Sequence, residues 1–455
     1  MDSSTPFRSS IEVYNRLSEF INLERGQNVT RFCLDRMETL SELCGRPEKH
    51  IPSFHVAGSK GKGSVTGMIA SILEKSGIKT ARYSSPHVSD FRERLTLNGS
   101  FFDEDIYLHS GNELRELLEK LGNSSFSALN GEEPSFFELL TLWFFLCARI
   151  SRCGAMAVET GMCGRLDATN ILDPLVSVIT IIELEHTEYL GTTIPEIAGE
   201  KAGIIKPGRP LVLAEQTPEA FKVFSEHAAQ KNSRLIYFPD KAEIKNVRLS
   251  RTGTVFSLVF KDLSGSANET LQELFVPIPG EVQAYNAGLA ALAVRTAFPD
   301  TKPSVIREGL ANFTLPARFE KISDKPLIII DGAHTKRSME LCLKTFSGLY
   351  GQGGILIFGC AAGKDVYSMA ELCVPCFSNI IITTPGTFKV SRPGEIFEVF
   401  SREIKNRNAA CELLFIPETQ RAIETVINTA LKKELPVLGS GSFYLAAEIR
   451  KRIIE

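Results

Sequence analysis

The sequence predicts an α/β chain of two domains, each built on a mainly parallel sheet. Three observations carry that expectation. Short apolar runs alternate with segments of helical spacing from Ile51 to Ala214, the pattern of strands joined by crossover helices. The same rhythm restarts at Leu327, after a break at Thr314-Leu315-Pro316. The first apolar run leads into a glycine-rich turn and then a helix, which is how such a sheet presents a backbone cradle to phosphate.

Taken in order, residues 11–23 and 29–44 carry apolar side chains at helical spacing, with a break at Gly26. A strand is expected over 51–57. The helix after the turn places Val65, Ile69, Ile72 and Leu73 on one face and stops at Gly77. A strand over 79–84 completes a first βαβ unit. Helices are expected over 103–122 and 135–152, strands over 155–159 and 175–182, a helix over 194–202 and a strand over 210–214. Residues 247–276 break the rhythm: alternation around Val255, Ser257 and Val259 reads as antiparallel strands at a sheet edge. A helix over 282–297 and another after Pro303 close the first domain. The second carries strands over 327–330, 355–358, 380–383 and 413–416, each followed by a helix. The domains are therefore expected over 1–313 and 317–455, with 314–316 as the hinge.

Bulk properties exclude several classes. A net charge of −3 over 455 residues is not the basic field of a nucleic-acid binder. The stretch 136–150 is the most apolar, but it contains Glu138 and is too short to span a bilayer, so no membrane is expected. Met1-Asp2-Ser3-Ser4-Thr5 lacks the features of a signal peptide, and the ten cysteines are scattered as reduced thiols are. Cys373 and Cys376 form one C-x-x-C without a second pair to complete a zinc site. A cytoplasmic protein is expected.

The chemistry centres on His55-Val-Ala-Gly-Ser-Lys-Gly-Lys-Gly-Ser64. Gly58, Ser59, Lys60, Gly61, Lys62 and Gly63 would wrap phosphate oxygens, with Lys62 on the outer phosphates and the Ser64 hydroxyl on Mg²⁺. The usual G-x-x-x-x-G-K-[ST] template is broken twice, by Val56 at the first glycine and by Gly63 between lysine and serine. Four further clusters fall at strand ends, where open α/β sheets bind ligands. They are Tyr83-Ser84-Ser85-Pro86-His87; Glu159 onward through Asp167 to Asn170; Glu183-Leu184-Glu185-His186 with the later Glu200-Lys201; and Asp331-Gly332-Ala333-His334.

Their joint order resembles the folylpolyglutamate synthase and dihydrofolate synthase family, the folate branch of the Mur ligases. The resemblance also takes in Asn286-Ala287, Arg318-Phe319-Glu320 and Ser440-Gly441-Ser442-Phe443-Tyr444-Leu445, and it makes both departures in the phosphate turn family features. It implies a P-loop-type, mainly parallel ATPase domain followed by a smaller Rossmann-like α/β domain. It implies ATP and Mg²⁺, with two cation sites, and a monomer that joins L-glutamate to a folate or to dihydropteroate. Residue by residue, it implies Ser64, Glu159 and His186 as metal ligands and Lys62, His186 and Lys201 as catalytic groups, Lys201 in carbamylated form. Asn286 would meet adenine, Asp331 ribose, and Arg318 and His334 would approach ATP from the second domain. Ser85, Pro86, His87, Phe137 and Asp167 would line the pterin pocket.

The chain departs from its relatives where they usually show Gly-x-Asp-His and it shows Glu183-Leu184-Glu185-His186, where Thr335 replaces an asparagine, and where Val282 replaces a histidine. Two alternatives stay open: a ligase acting on a peptidoglycan precursor, and a non-catalytic nucleotide-binding paralogue.

Overall fold

The computed structural model describes residues 5–22, 33–261, 268–386 and 388–454. Among these, the strands are β1 (Ser53–Ala57), β2 (Thr80–Tyr83), β3 (Leu95–Leu97), β4 (Ser100–Phe101), β5 (Ala155–Glu159), β6 (Val176–Ile179), β7 (Leu211–Leu213), β8 (Leu235–Tyr237), β9 (Ala242–Ser250), β10 (Gly253–Phe260), β11 (Glu269–Val276), β12 (Glu320–Asp324), β13 (Leu327–Ile330), β14 (Gly354–Phe358), β15 (Phe377–Ile382), β16 (Glu412–Phe415) and β17 (Val437–Ser440).

They form three sheets. The largest runs β4-β3-β2-β5-β1-β6-β7-β8, parallel from β2 to β8 with an antiparallel pair at one edge. A separate antiparallel sheet runs β11-β10-β9. The third runs β12-β13-β17-β14-β15-β16 and is parallel apart from β12. The α/β class with two sheet-centred units is as the sequence predicts.

Strands β1 and β5 are buried along their whole length, as central strands covered on both faces must be. Alternate β5 residues serve opposite layers. Ala155 and Ala157 join the core under helix Lys62–Lys75, with Val65, Ile69 and Leu73, whereas Met156 and Val158 join the layer of helix Phe136–Ile150. In that second helix Trp143 is fully buried, its Nε1 donating to Ser110 Oγ at 2.9 Å. The longest apolar stretch is thus a core helix. No helix among the described residues is long and apolar enough to cross a membrane.

Four expectations need correction. β1 and β2 are not neighbours, because β5 inserts between them. The antiparallel strands are not at the edge of the large sheet: they form their own layer, where Phe256, Leu258 and Phe260 pack with helix Glu281–Ala297. The edge strands of that sheet are β4 and β8, both unread in the sequence. β17, equally unread, lies at the centre of the third sheet. At the N-terminus the helices are shorter than the periodicity suggests, Ser10–Leu17 and Asp35–Leu43, and residues 23–32 of those expected helices lie outside the described residues.

Candidate functional site

The site begins where β1 ends. Thr180, just past β6, donates its N–H to Ala57 O at 2.8 Å and so presses against the next residue. A Cβ on Gly58 would lie 1.8 Å from Thr180 Oγ1, and the φ of +145° is one that side chains rarely adopt. Gly61, at φ +91°, caps helix Lys62–Lys75, and a Cβ there would lie 2.7 Å from Asn286 Oδ1. The first helical bond is Val65 N to Gly61 O, so the amides of Lys62, Gly63 and Ser64 precede it and face the turn. Lys62 Nζ donates to Gly58 O at 2.8 Å, which folds its charge over the cradle. Ser59 Oγ donates to Glu183 O at 3.0 Å and ties the turn to the loop after β6.

Glu159 ends β5, beside the turn. Its carboxylate is buried, accepts Ser85 N–H at 3.2 Å, and would stand 3.3 Å from a Cβ on Gly63. Burial pushes its pKa up, while Lys62, the Ser85 amide, Arg318 and Arg82 pull it back. A buried carboxylate facing a helix start that carries the Ser64 hydroxyl is an oxygen donor set suited to Mg²⁺. Among the described residues no three His, Cys, Asp or Glu side chains converge to hold a metal alone, so phosphate oxygens would have to complete such a site. His186 follows at φ +47° on an exposed loop; protein packed around it, with Lys62, Lys364 and Lys201, pushes its imidazole down to about 4 against the pull of Glu185.

Beside it, Lys201 is fully buried at the end of helix Ile194–Ala202, with its Nζ 3.1 Å from Glu185 Oε1. Burial lowers the Lys201 pKa to about 8, with Lys62 adding to the effect. Burial would raise Glu185, but Lys62, Lys201 and Lys60 together hold it down to about 2.

The second sheet contributes from across the gap. Asp331 follows β13, and its two oxygens accept Phe319 N–H and Ala333 N–H, both at 2.8 Å. His334 Nδ1 donates to Gly332 O at 2.8 Å, leaving Nε2 as the acceptor; burial, then Lys60, lowers this imidazole to about 3. The Arg318 guanidinium stacks 4.0 Å over the Phe443 ring, and Asp331 and Glu159 both favour its charge. Lys364, in the loop after β14, acts electrostatically on Lys60, His186 and His334.

Comparison with known proteins places this architecture. Residues 114–294 match the Mur ligase middle domain and 317–443 the Mur ligase glutamate ligase domain. The chain is 31% identical over 425 residues to the folylpolyglutamate synthase of Lacticaseibacillus casei, spanning 92% of this chain and 94% of that one. It belongs to the folylpolyglutamate synthase and dihydrofolate synthase family. The dihydrofolate synthase/folylpolyglutamate synthase of Bacillus subtilis is 30% identical, over 92% of this chain and 94% of its own length. A solved folylpolyglutamate synthase complex with AMPPCP and folate superposes with a TM-score of 0.83 at 27% identity, covering 98% of this chain and 100% of that one. The chain is therefore a ligase enzyme.

In this family member, the residues expected at the pterin lie on the loop after β2, on helix Phe136–Ile150 and on the loop after β5. Ser85 touches Glu159, and Phe137 packs so closely on Gly161 that a Cβ there would lie 2.5 Å from its ring. Asp167 is buried and committed to its own loop: it accepts Thr169 Oγ1 at 2.6 Å, Thr169 N at 3.1 Å and Met162 N at 3.3 Å. Pro86 and His87 line a crevice of about 160 Å³ with Arg94, Phe388 and Tyr444. Asn286 lies against Gly61 rather than in the open. Sequence reasoning missed Thr180 and Arg82 and gave Phe443 no role of its own. None carries a local signal, since each matters only through what it packs against. It also missed that Glu185 reaches Lys201.

Proposed function

We infer that the chain is an ATP-dependent ligase that joins L-glutamate to the carboxylate of a folate through an acyl phosphate. The observation that carries this is the meeting of Lys62, Glu159 and the open helix start of the first sheet with Arg318, His334 and Lys364 of the second. The likeness to a family member solved with AMPPCP and folate supports the choice of substrates.

In this reading the turn amides and Lys62 bind the triphosphate, and Ser64, Glu159 and His186 hold Mg²⁺. Bound there, Mg²⁺ neutralises charge on the outer phosphate oxygens. The folate carboxylate attacks the γ-phosphorus and ADP leaves. Lys62 and the amides stabilise the charge on the transferred phosphoryl group, and Arg318 approaches it from the other side. The glutamate amine then attacks the acyl carbon, phosphate departs, and the amine loses its proton. No protein nucleophile is needed, so positioning supplies much of the acceleration. Asn286 and Asp331 would meet adenine and ribose; Ser85, Pro86, His87, Phe137 and Asp167 would border the pterin. We assign the ATPase unit to residues 1–313 and the lid to 317–455, and place the enzyme in the cytoplasm as a monomer.

The test is ADP release with L-glutamate plus tetrahydrofolate, plus dihydropteroate, or with neither. Stimulation by either pterin supports the reading and says which reaction is run. Stimulation only by a peptidoglycan precursor, or by nothing, sinks it.

A further inference from the structure

The loop that follows β2 is closed on itself and has contacts on both sides of the gap between the two units. Ser84 N–H donates to Arg94 O at 3.0 Å and Ser84 Oγ to Glu93 O at 3.2 Å, so its two ends meet. Inside it the Glu93 carboxylate accepts the N–H groups of Val88, Ser89 and Asp90 at 2.6, 3.1 and 3.2 Å. Near its start Ser85 N–H donates to Glu159, beside the phosphate turn. Its tip reaches the C-terminal unit, where Val88 packs on the core cluster that holds Ala317, Leu445 and Ile449. There Arg450, on helix Phe443–Ile454, bridges two partners. Its Nη1 donates to Ser89 Oγ at 3.3 Å and its Nε to Glu320 Oε1 at 3.1 Å. The other Glu320 oxygen accepts Ala317 N–H at 2.8 Å, and Ala317 holds a φ of +53° directly before Arg318.

We propose that Arg450 is a positioning residue: it sets Arg318 toward the outer phosphates by tying the segment that carries Arg318 to the loop after β2. The inference rests on the ligase reading, in which Arg318 approaches ATP from the C-terminal unit. An alanine at positive φ is held by its surroundings rather than by its own preference. Three bonds hold this segment: Glu320 on Ala317 N–H, Ala317 O on Gly332 N–H at 2.9 Å, and Asp331 on Phe319 N–H at 2.8 Å. Of the three, only the Glu320 bond continues to the N-terminal unit, through Arg450 to Ser89. That continuation matters because the phosphates Arg318 must meet lie on the turn of the other unit. The helix of Arg450 also carries Phe443, whose ring lies 4.0 Å from the Arg318 guanidinium. One helix thus sets both the backbone and the side chain of Arg318. A planar guanidinium suits the bridge, since its donors can hold a carboxylate and a hydroxyl at once in fixed directions. Arg450 and Glu320 are both about three-quarters buried, where salt screens a pair less than at the surface. Arg450 acts through Glu320 and Ser89, not on the phosphates.

The test is a double-mutant cycle on the affinity of the full chain for a non-hydrolysable ATP analogue with Mg²⁺, read by titration calorimetry. Arg318→Met is expected to weaken binding about tenfold and Arg450→Met about fivefold. Because Arg450 works through Arg318, the double variant should stay within about twofold of Arg318→Met alone. Ser89→Ala keeps the ion pair with Glu320 and cuts only the tie to the N-terminal unit. It should weaken binding about threefold and leave the melting temperature unchanged, which separates positioning from a general loss of packing. Penalties that multiply in the double variant would overturn the proposal. So would unmutated affinity in either Arg450→Met or Ser89→Ala. No folate enters these measurements, so failure of the turnover assay and failure of the cycle are separate results.

Discussion

Lys62→Met tests the electrostatic centre of the site most directly. Lys62 is the strongest cationic influence on both Glu159 and Glu185, and its Nζ donates to Gly58 O at 2.8 Å across the turn. A hydrogen bond to a charged group contributes roughly 1.5–3 kcal/mol. Binding a phosphate exchanges the bond to Gly58 O for a stronger one rather than making it from nothing, so the lower part of that range applies. The expected loss is about 1.5–2 kcal/mol, or roughly 10–30-fold in Kd for an ATP analogue. Turnover should fall further than affinity, because charge on the transferred group matters most in the transition state. Methionine keeps a stem of the same length without the ammonium group, so the fold should survive. Titration calorimetry with the analogue, at low and at raised salt, reads the change, which salt should diminish. A loss of less than about threefold at low salt would show that Lys62 does not reach the phosphates and would refute the assignment.

Other outcomes follow from the same geometry. Glu159→Gln removes the buried carboxylate beside Ser64; nucleotide should still bind, but the tightening produced by Mg²⁺ should vanish, and its survival would remove Glu159 from the metal site. His55 is fully buried in β1, and burial, then Lys206, lowers its pKa from 6.5 to about 3. Between those values the unfolded chain binds the proton and the folded one does not, so stability falls as pH falls through that window, by roughly 1.4 kcal/mol per unit from this group. His55→Gln should flatten the pH dependence of the urea midpoint there, and an unaltered slope would count against it. Arg36 is buried against Glu138 at 2.9 Å and Glu132 at 2.7 Å. Arg36→Ala leaves Glu138 in an apolar layer and should cost about 3 kcal/mol, seen as a drop in melting temperature.

What could be read in the sequence was whatever is local. The phosphate turn announces itself because glycine at 58 and 61 answers a local need, a positive φ and a close approach, and because Lys62 and Ser64 follow at once. Strands β1, β5 and β14 show as mostly apolar runs because a strand buried on both faces is predominantly apolar. β17 escaped because Gly439 interrupts it, yet the glycine is there for tertiary reasons: a Cβ would lie 2.4 Å from Ile449 Cδ1 in the following helix. β8 has only three residues, too few to show a period. Alternation in β10 revealed antiparallel strands but not which sheet they join, since that is decided by the helix Glu281–Ala297 that covers them.

The site divides along the same line. Each charged residue could be nominated from its place at a strand end, but which acid meets which lysine depends on loops that converge from separate parts of the chain. Glu185 and Lys201 are linked by a loop and a helix, and the 3.1 Å contact between them exists because Gly164 and Gly203 let two backbones close on one another. The prediction that follows is structural: Gly203→Ala, which adds one methyl against Arg165 Cα, should open the Glu185–Lys201 pair and destabilise the domain by about 1–3 kcal/mol. If Gly203→Ala left stability unchanged, the loop and the helix end would not be what holds the pair together.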